Sequence, residues 1–155
     1  MKYLTILITL VLITLPITAQ DFPQTIIIDD FDFSFEGFSL SRGELVIVNM
    51  EEEFLLPVEI DFIFDLPNGL GMNNEELAPG FSGTAGILDL GPAPLMEDTD
   101  FPEDNFILYL MPEDIIPGHT YIIRTTDTDH YGKIHIVDIN AEIESLEFTW
   151  VYLDM

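Results

Sequence analysis

Apolar residues recur at every second position along much of this chain, and no stretch holds helical spacing for long. The alternation is plainest from Val58 to Leu66. There Val58, Ile60, Phe62, Phe64 and Leu66 share one face while Glu59, Asp61 and Asp65 point away, which predicts a strand. Phe31, Phe33 and Phe35 alternate likewise with Asp32, Ser34 and Glu36, predicting a strand with one aromatic face that ends before Gly37. Glu44 to Asn49 (ELVIVN) is a compact apolar run and reads as a buried strand. Strand texture returns at Ile87 to Leu90 and at Phe106 to Met111, where Pro112 closes it. Asp21 to Asp30, with its TIII run, reads as a leading strand or a mobile lead-in.

The stretch from Pro117 to Tyr152 is the most ordered in pattern. After Pro117-Gly118, Tyr121 to Thr125 is rich in β-branched and aromatic residues, which suit a pleated surface. A polar, acidic loop from Thr126 to His130 leads into Tyr131 to Val137. Tyr131, Lys133, His135 and Val137 face one way there, and Gly132, Ile134 and Ile136 the other. A second turn, Asn140 to Ser145, precedes a strand with Leu146, Phe148, Trp150 and Tyr152 on one face. Connections this short force an antiparallel meander with Ile134, Ile136, Phe148 and Trp150 in the core.

Between Pro67 and Pro102 glycine and proline dominate, so 67–105 reads as a loop-rich middle. Helix is confined to single turns: one at Glu51 to Glu53, stopped by Pro57, and one over Asn73 to Ala78 with Asn74 as cap. The prediction is an all-β domain over 20–155: an antiparallel sandwich or open barrel of seven to nine short strands, ending in a three-stranded meander.

Residues 1–19 stand apart. Lys2, the apolar run Leu4 to Leu15 and the exit Ile17-Thr18-Ala19 have the order of a cleaved signal peptide, too short for a comfortable membrane span. A secreted or periplasmic product follows, with no second stretch fit to cross a bilayer. The chain has 29 acids and four Lys and Arg, a net of −25. Loss of Lys2 with the signal leaves three bases and a net of −26. Phosphate binding needs a basic footprint, so nucleic acid is ruled out as a partner and anionic membranes are disfavoured. Cations, basic proteins or neutral glycans fit better. Disorder is opposed by a 48% hydrophobic content and twelve phenylalanines. The absence of cysteine removes disulfides, thiolate catalysis and Cys-based metal sites.

The run G-H-T-Y-I-I-R-T-x-D-x-x-x-Y-G-K-I-H-I, followed by L-E-F-T-W-V-Y, resembles the closing segment of HmuY-type haem-binding proteins and related bacterial surface proteins. The likeness covers about a quarter of the chain. It implies an exported β-rich fold in which the meander is structural. In that family the axial histidines lie upstream of this ending, and no histidine precedes His119 here, so the resemblance carries no haem ligand across. Nor is there a cysteine for the lipid anchor common in the family.

Five constellations bear on chemistry. Asp127 to Asp138 has acids at positions 1, 3 and 12, glycine at 6 and an apolar residue at 8, as in a twelve-residue calcium loop. Asp127, Asp129 and Asp138 are its candidate Ca2+ ligands. Tyr131 at position 5 and the strand texture of 131–137 favour a plain hairpin that opens on aspartate. Acid clusters at Asp29, Asp30 and Asp32, or at Glu97, Asp98 and Asp100, are looser candidates against solvated faces. His119, His130 and His135 are candidates for a transition metal or haem, although an interval of five puts His130 and His135 on opposite faces of a strand. Tyr131, Trp150 and Tyr152 would stack a sugar if they shared a face, and core packing is the competing account. Arg124 and Lys133, on adjacent predicted strands, read as structural partners of nearby carboxylates.

Catalysis finds no motif. Ser82 lies in Gly80-Phe81-Ser82-Gly83, which is no nucleophile elbow, and no serine pairs with a histidine. The expectation is an exported, monomeric, non-enzymatic binding or surface-interaction module, stabilised by divalent cations. Haem or transition-metal capture is the alternative, and a carbohydrate-active enzyme the second.

Overall fold

The computed structural model describes residues 25–29, 34–49, 60–65, 68–73, 85–96, 104–125 and 130–154. The signal-peptide reading of 1–19, the strand face at Phe31 and Phe33, and the helical turn at Glu51 to Glu53 lie outside them. Of the Asn73 to Ala78 turn only Asn73 is described, at the end of a strand.

The predicted meander forms as three consecutive antiparallel strands, β8 (Thr120–Arg124), β9 (His130–Asn140) and β10 (Ser145–Asp154). Two strands flank it: β1 (Thr25–Asp29) pairs with β10, and β6 (Gly86–Asp89) with β8. This first sheet has the order β1-β10-β9-β8-β6. The second holds β2 (Ser34–Ser39), β3 (Glu44–Asn49), β4 (Phe62–Asp65), β5 (Gly69–Met72) and β7 (Tyr109–Leu110), in the order β3-β2-β4-β5-β7. Every pairing is antiparallel. Helix among the described residues is one 3-10 turn, Pro112–Asp114. The architecture is an all-β sandwich, not closed into a barrel, with ten described strands where the pattern predicts seven to nine.

The core lies between the sheets. Phe38, Phe62, Phe64, Leu70 and Met72 from the second sheet meet Ile87, Tyr121, Ile123, Ile134, Ile136, Leu146 and Phe148 from the first. Trp150 packs against this core, edge-on to Phe38 at 5.4 Å between ring centroids. The inward set predicted for the meander is the set observed.

The predicted pattern is corrected at four points. β2 does not end before Gly37 but runs through it, because the Ile60 side chain fills the space a Cβ would take, 2.5 Å from its ideal position. Ile60 itself leaves the face it was expected to share with Phe62 and packs with Val46 and Ile63 in a separate small cluster. Asp61, expected in solvent, is only 8% exposed, and its carboxylate accepts the Leu40 N–H at 2.7 Å in the turn after β2. Between Glu147 and Phe148 the β9–β10 register slips by one residue, leaving Val137 as the extra, exposed residue of a bulge. Beyond the bulge the faces exchange: Asp138 stands opposite Glu147 and Ile139 packs on the core.

The glycine-rich middle packs down where it is described. GLGM forms β5, inside the stretch expected to be loop. Residues 107–110 then close one side of the sandwich by pairing with both sheets. Ile107 exchanges backbone hydrogen bonds with Ile87 of the first sheet, Leu108 O accepts from Met72 N of the second, and β7 pairs with β5. Buried Tyr121 fastens the following turn, since its hydroxyl donates to Asp114 O at 3.0 Å and accepts from Ile116 N at 2.9 Å. Burial raises the pKa of this hydroxyl. The Ile116 hydrogen bond opposes the rise and the charges of Asp89 and Asp114 add to it. With the folded pKa raised, the contribution is fully present below the ordinary tyrosine value and is lost as pH climbs through the folded one. The clasp is intact at neutral pH.

Candidate functional site

Of the three calcium-loop candidates only Asp138 is described, on β9. A calcium loop must curl, but His130–Asn140 is one extended strand, paired on both sides. At the antiparallel rise per residue, Asp138 lies about 25 Å along the strand from His130. Asp127 and Asp129 lie outside the described residues. Asp30, Asp32 and the cluster at Glu97, Asp98 and Asp100 are outside them too, as is the Asp29 side chain. Among the described residues no three His, Asp or Glu side chains gather as a metal site.

What β9 and β10 do create is a like-charge pair, Asp138 directly across from Glu147. Together with the net charge this makes stability depend on screening. The melting temperature is expected to rise by several degrees between about 0.01 M and about 1 M salt, as the Debye length shrinks from about 30 Å to about 3 Å. Calcium and magnesium at equal ionic strength are expected to give equal shifts in differential scanning calorimetry. A rise specific to calcium would point to a dedicated site instead.

The three histidines take separate places. His119 donates from Nδ1 to the Asp89 carboxylate at 2.9 Å, and Asp89 also accepts the Gly91 N–H. His135 lies opposite Thr120, whose hydroxyl gives its proton to Ala93 O and so receives one from His135 Nδ1 at 2.9 Å. His130 stacks on Tyr152 at 5.5 Å, five residues and about 17 Å along the strand from His135, on the other face. They do not converge on one ion or haem.

The aromatic platform divides in the same way. Tyr152 pairs with Gly132 and Trp150 with Ile134, on the core face, whereas Tyr131 pairs with Arg124 on the opposite face. Phe106 approaches that outer face. The Arg124 guanidinium lies 4.4 Å from its ring centroid and the Tyr131 ring 6.3 Å away. Lys133 is on the same face as Arg124, only 3% exposed, between Ile122 of β8 and Val151 of β10. Arg124 and Lys133 sit on adjacent strands, as expected.

Sequence reading missed the surface that stands out. Nine large hydrophobics are exposed among the described residues, and five of them fall between 107 and 116: Ile107, Leu108, Tyr109, Met111 and Ile116, each 41–50% exposed. This strip of chain lies over the closed side of the sandwich, on backbone held by Ile87, Met72, β5 and Tyr121. Alternating burial in the same segment explains why: Leu110 and Ile115 turn into the core and hold the strip down. A concentration of apolar area on rigid backbone is what contact sites have and isolated exposed leucines lack. The signal available in the sequence was the run ILYLM itself, which reads equally well as core.

No known protein family and no curated protein matches the chain.

Proposed function

We propose that this chain is an exported, non-enzymatic binding module that meets its partner through the strip at Ile107 to Ile116. The observation that carries the reading is the clustering of exposed apolar side chains on this one pinned segment. Binding loses less to side-chain and loop ordering when the surface is already held in place. His119 is held on Asp89 and His135 on Thr120, in separate places. Export rests on Lys2, Leu4 to Leu15 and Ile17-Thr18-Ala19, and the HmuY-like ending agrees with a secreted or periplasmic location.

The test places a photo-crosslinking residue at position 108 or, as control, at exposed Ile143 in the β9–β10 turn, in cells that export the protein. A discrete adduct at position 108 and none at 143 is expected. The same adducts at both positions, or none at either, would refute the reading.

A further inference from the structure

The reading of the strip as a contact surface extends to the chemistry of what it contacts. We infer that the strip accepts a cationic segment of a partner protein that carries apolar side chains, and this inference rests on the binding-module reading. Ile107, Leu108, Tyr109, Met111 and Ile116 offer the apolar contact. Asp104, Glu113 and Asp114, all exposed, lie in the same stretch of chain, which has no Lys or Arg from 104 to 116. Any occupant of the strip therefore enters a field set by 29 acids and four bases.

That field chooses among occupants. A second copy would bring two mature chains of net charge −26 together and set their acidic segments against each other. Nucleic acid and anionic lipid are repelled for the same reason. A neutral apolar segment would gain the contact area but leave the acids facing nothing of opposite sign. A segment with lysine or arginine beside leucine- or phenylalanine-like side chains satisfies both features. Its approach is also accelerated by attraction at a distance, an effect that salt removes.

The probe is a synthetic amphipathic peptide of lysine and leucine, titrated calorimetrically into the mature chain, with polylysine as the control for charge alone. Two variants separate the contributions: Leu108→Ser with Met111→Ser, and Glu113→Gln with Asp114→Asn. All four side chains are exposed, and the backbone bonds of the segment do not involve them, so both variants are expected to keep the parent melting temperature. One-to-one binding is expected for the parent chain. The serine variant should bind about tenfold or more weakly, the order seen when apolar anchors are truncated. The amide variant should bind severalfold more weakly with a flatter salt dependence. Polylysine binding as tightly as the amphipathic peptide, or a serine variant that binds like the parent, would overturn the inference. A dimer in sedimentation that the serine variant dissociates would assign the strip to a second copy and overturn it equally. A partner adduct at position 108 combined with no peptide binding would discard the cationic segment while leaving the binding module standing.

Discussion

Phe38→Ala is expected to destabilise the domain by about 3–5 kcal/mol, the largest effect of any single truncation in the core. Phe38 is fully buried on β2, and its ring touches both sheets: Phe62 at 5.6 Å on its own, Phe148 at 5.1 Å and Trp150 at 5.4 Å across the interface. Truncation removes a ring on which three others pack. The cavity cannot readily collapse, because β2 is held between β3 and β4, and Phe38 O accepts from Asp61 N at 2.9 Å. Phe38→Leu keeps most of the volume and is expected to lose less than half as much. Chemical denaturation of the two variants measures both. A loss of about 1 kcal/mol or less for alanine would mean that the two sheets do not meet at this ring.

Gly69→Ala is the second. Gly69 opens β5 with φ +89°, a backbone conformation that an L side chain adopts only with strain of about 1–3 kcal/mol. Space is as restrictive as torsion: an ideal Cβ there would lie 2.0 Å from the carbonyl oxygen of Leu110. That obstacle is backbone, so relief requires β5 and β7 to separate and not merely a rotamer change. The expected result is a loss of about 2–4 kcal/mol, obtained by adding the torsional strain to a lost strand contact. Hydrogen exchange should localise the damage, with protection falling at Leu70, Met72, Ile107 and Leu110 before it falls at Ile134 or Ile136. Uniform loss across both sheets, or none, would contradict the account of how 107–110 is held.

Strands with strict alternation were legible, and those that depend on a distant neighbour were not. Ile134, Ile136, Phe148 and Trp150 could be placed because period two fixes the face once the meander is accepted. β5 was hidden because Gly-Leu-Gly-Met has the composition of a turn; its partners, Phe62 to Asp65 on one side and Tyr109-Leu110 on the other, supply the strand. Ile60 and Asp61 lost their predicted phase to tertiary contacts, Ile60 over Gly37 and Asp61 under the turn at Leu40. Val137 shows how one bulge reverses a correct pattern and carries Asp138 to the outer face. The candidate site was less legible than the fold. With 29 acids in the chain, spacing alone could not choose the acids that matter. ILYLM gave no sign of surface exposure, because exposure there follows from lying between two sheets and belonging fully to neither.

The pairing of β1 with β10 joins Thr25 to Thr149, so the first strand finds its neighbour only in the last. A chain threaded through a membrane from its N-terminus would present β1 on the far side long before residue 149 arrives. For a chain that crosses in this way the first sheet would complete only at the end of the passage, and the loop closure that β1 and β10 require slows folding in the way that distant contacts generally do. Sequence order would thereby keep such a polypeptide open during its passage and let it set only afterwards.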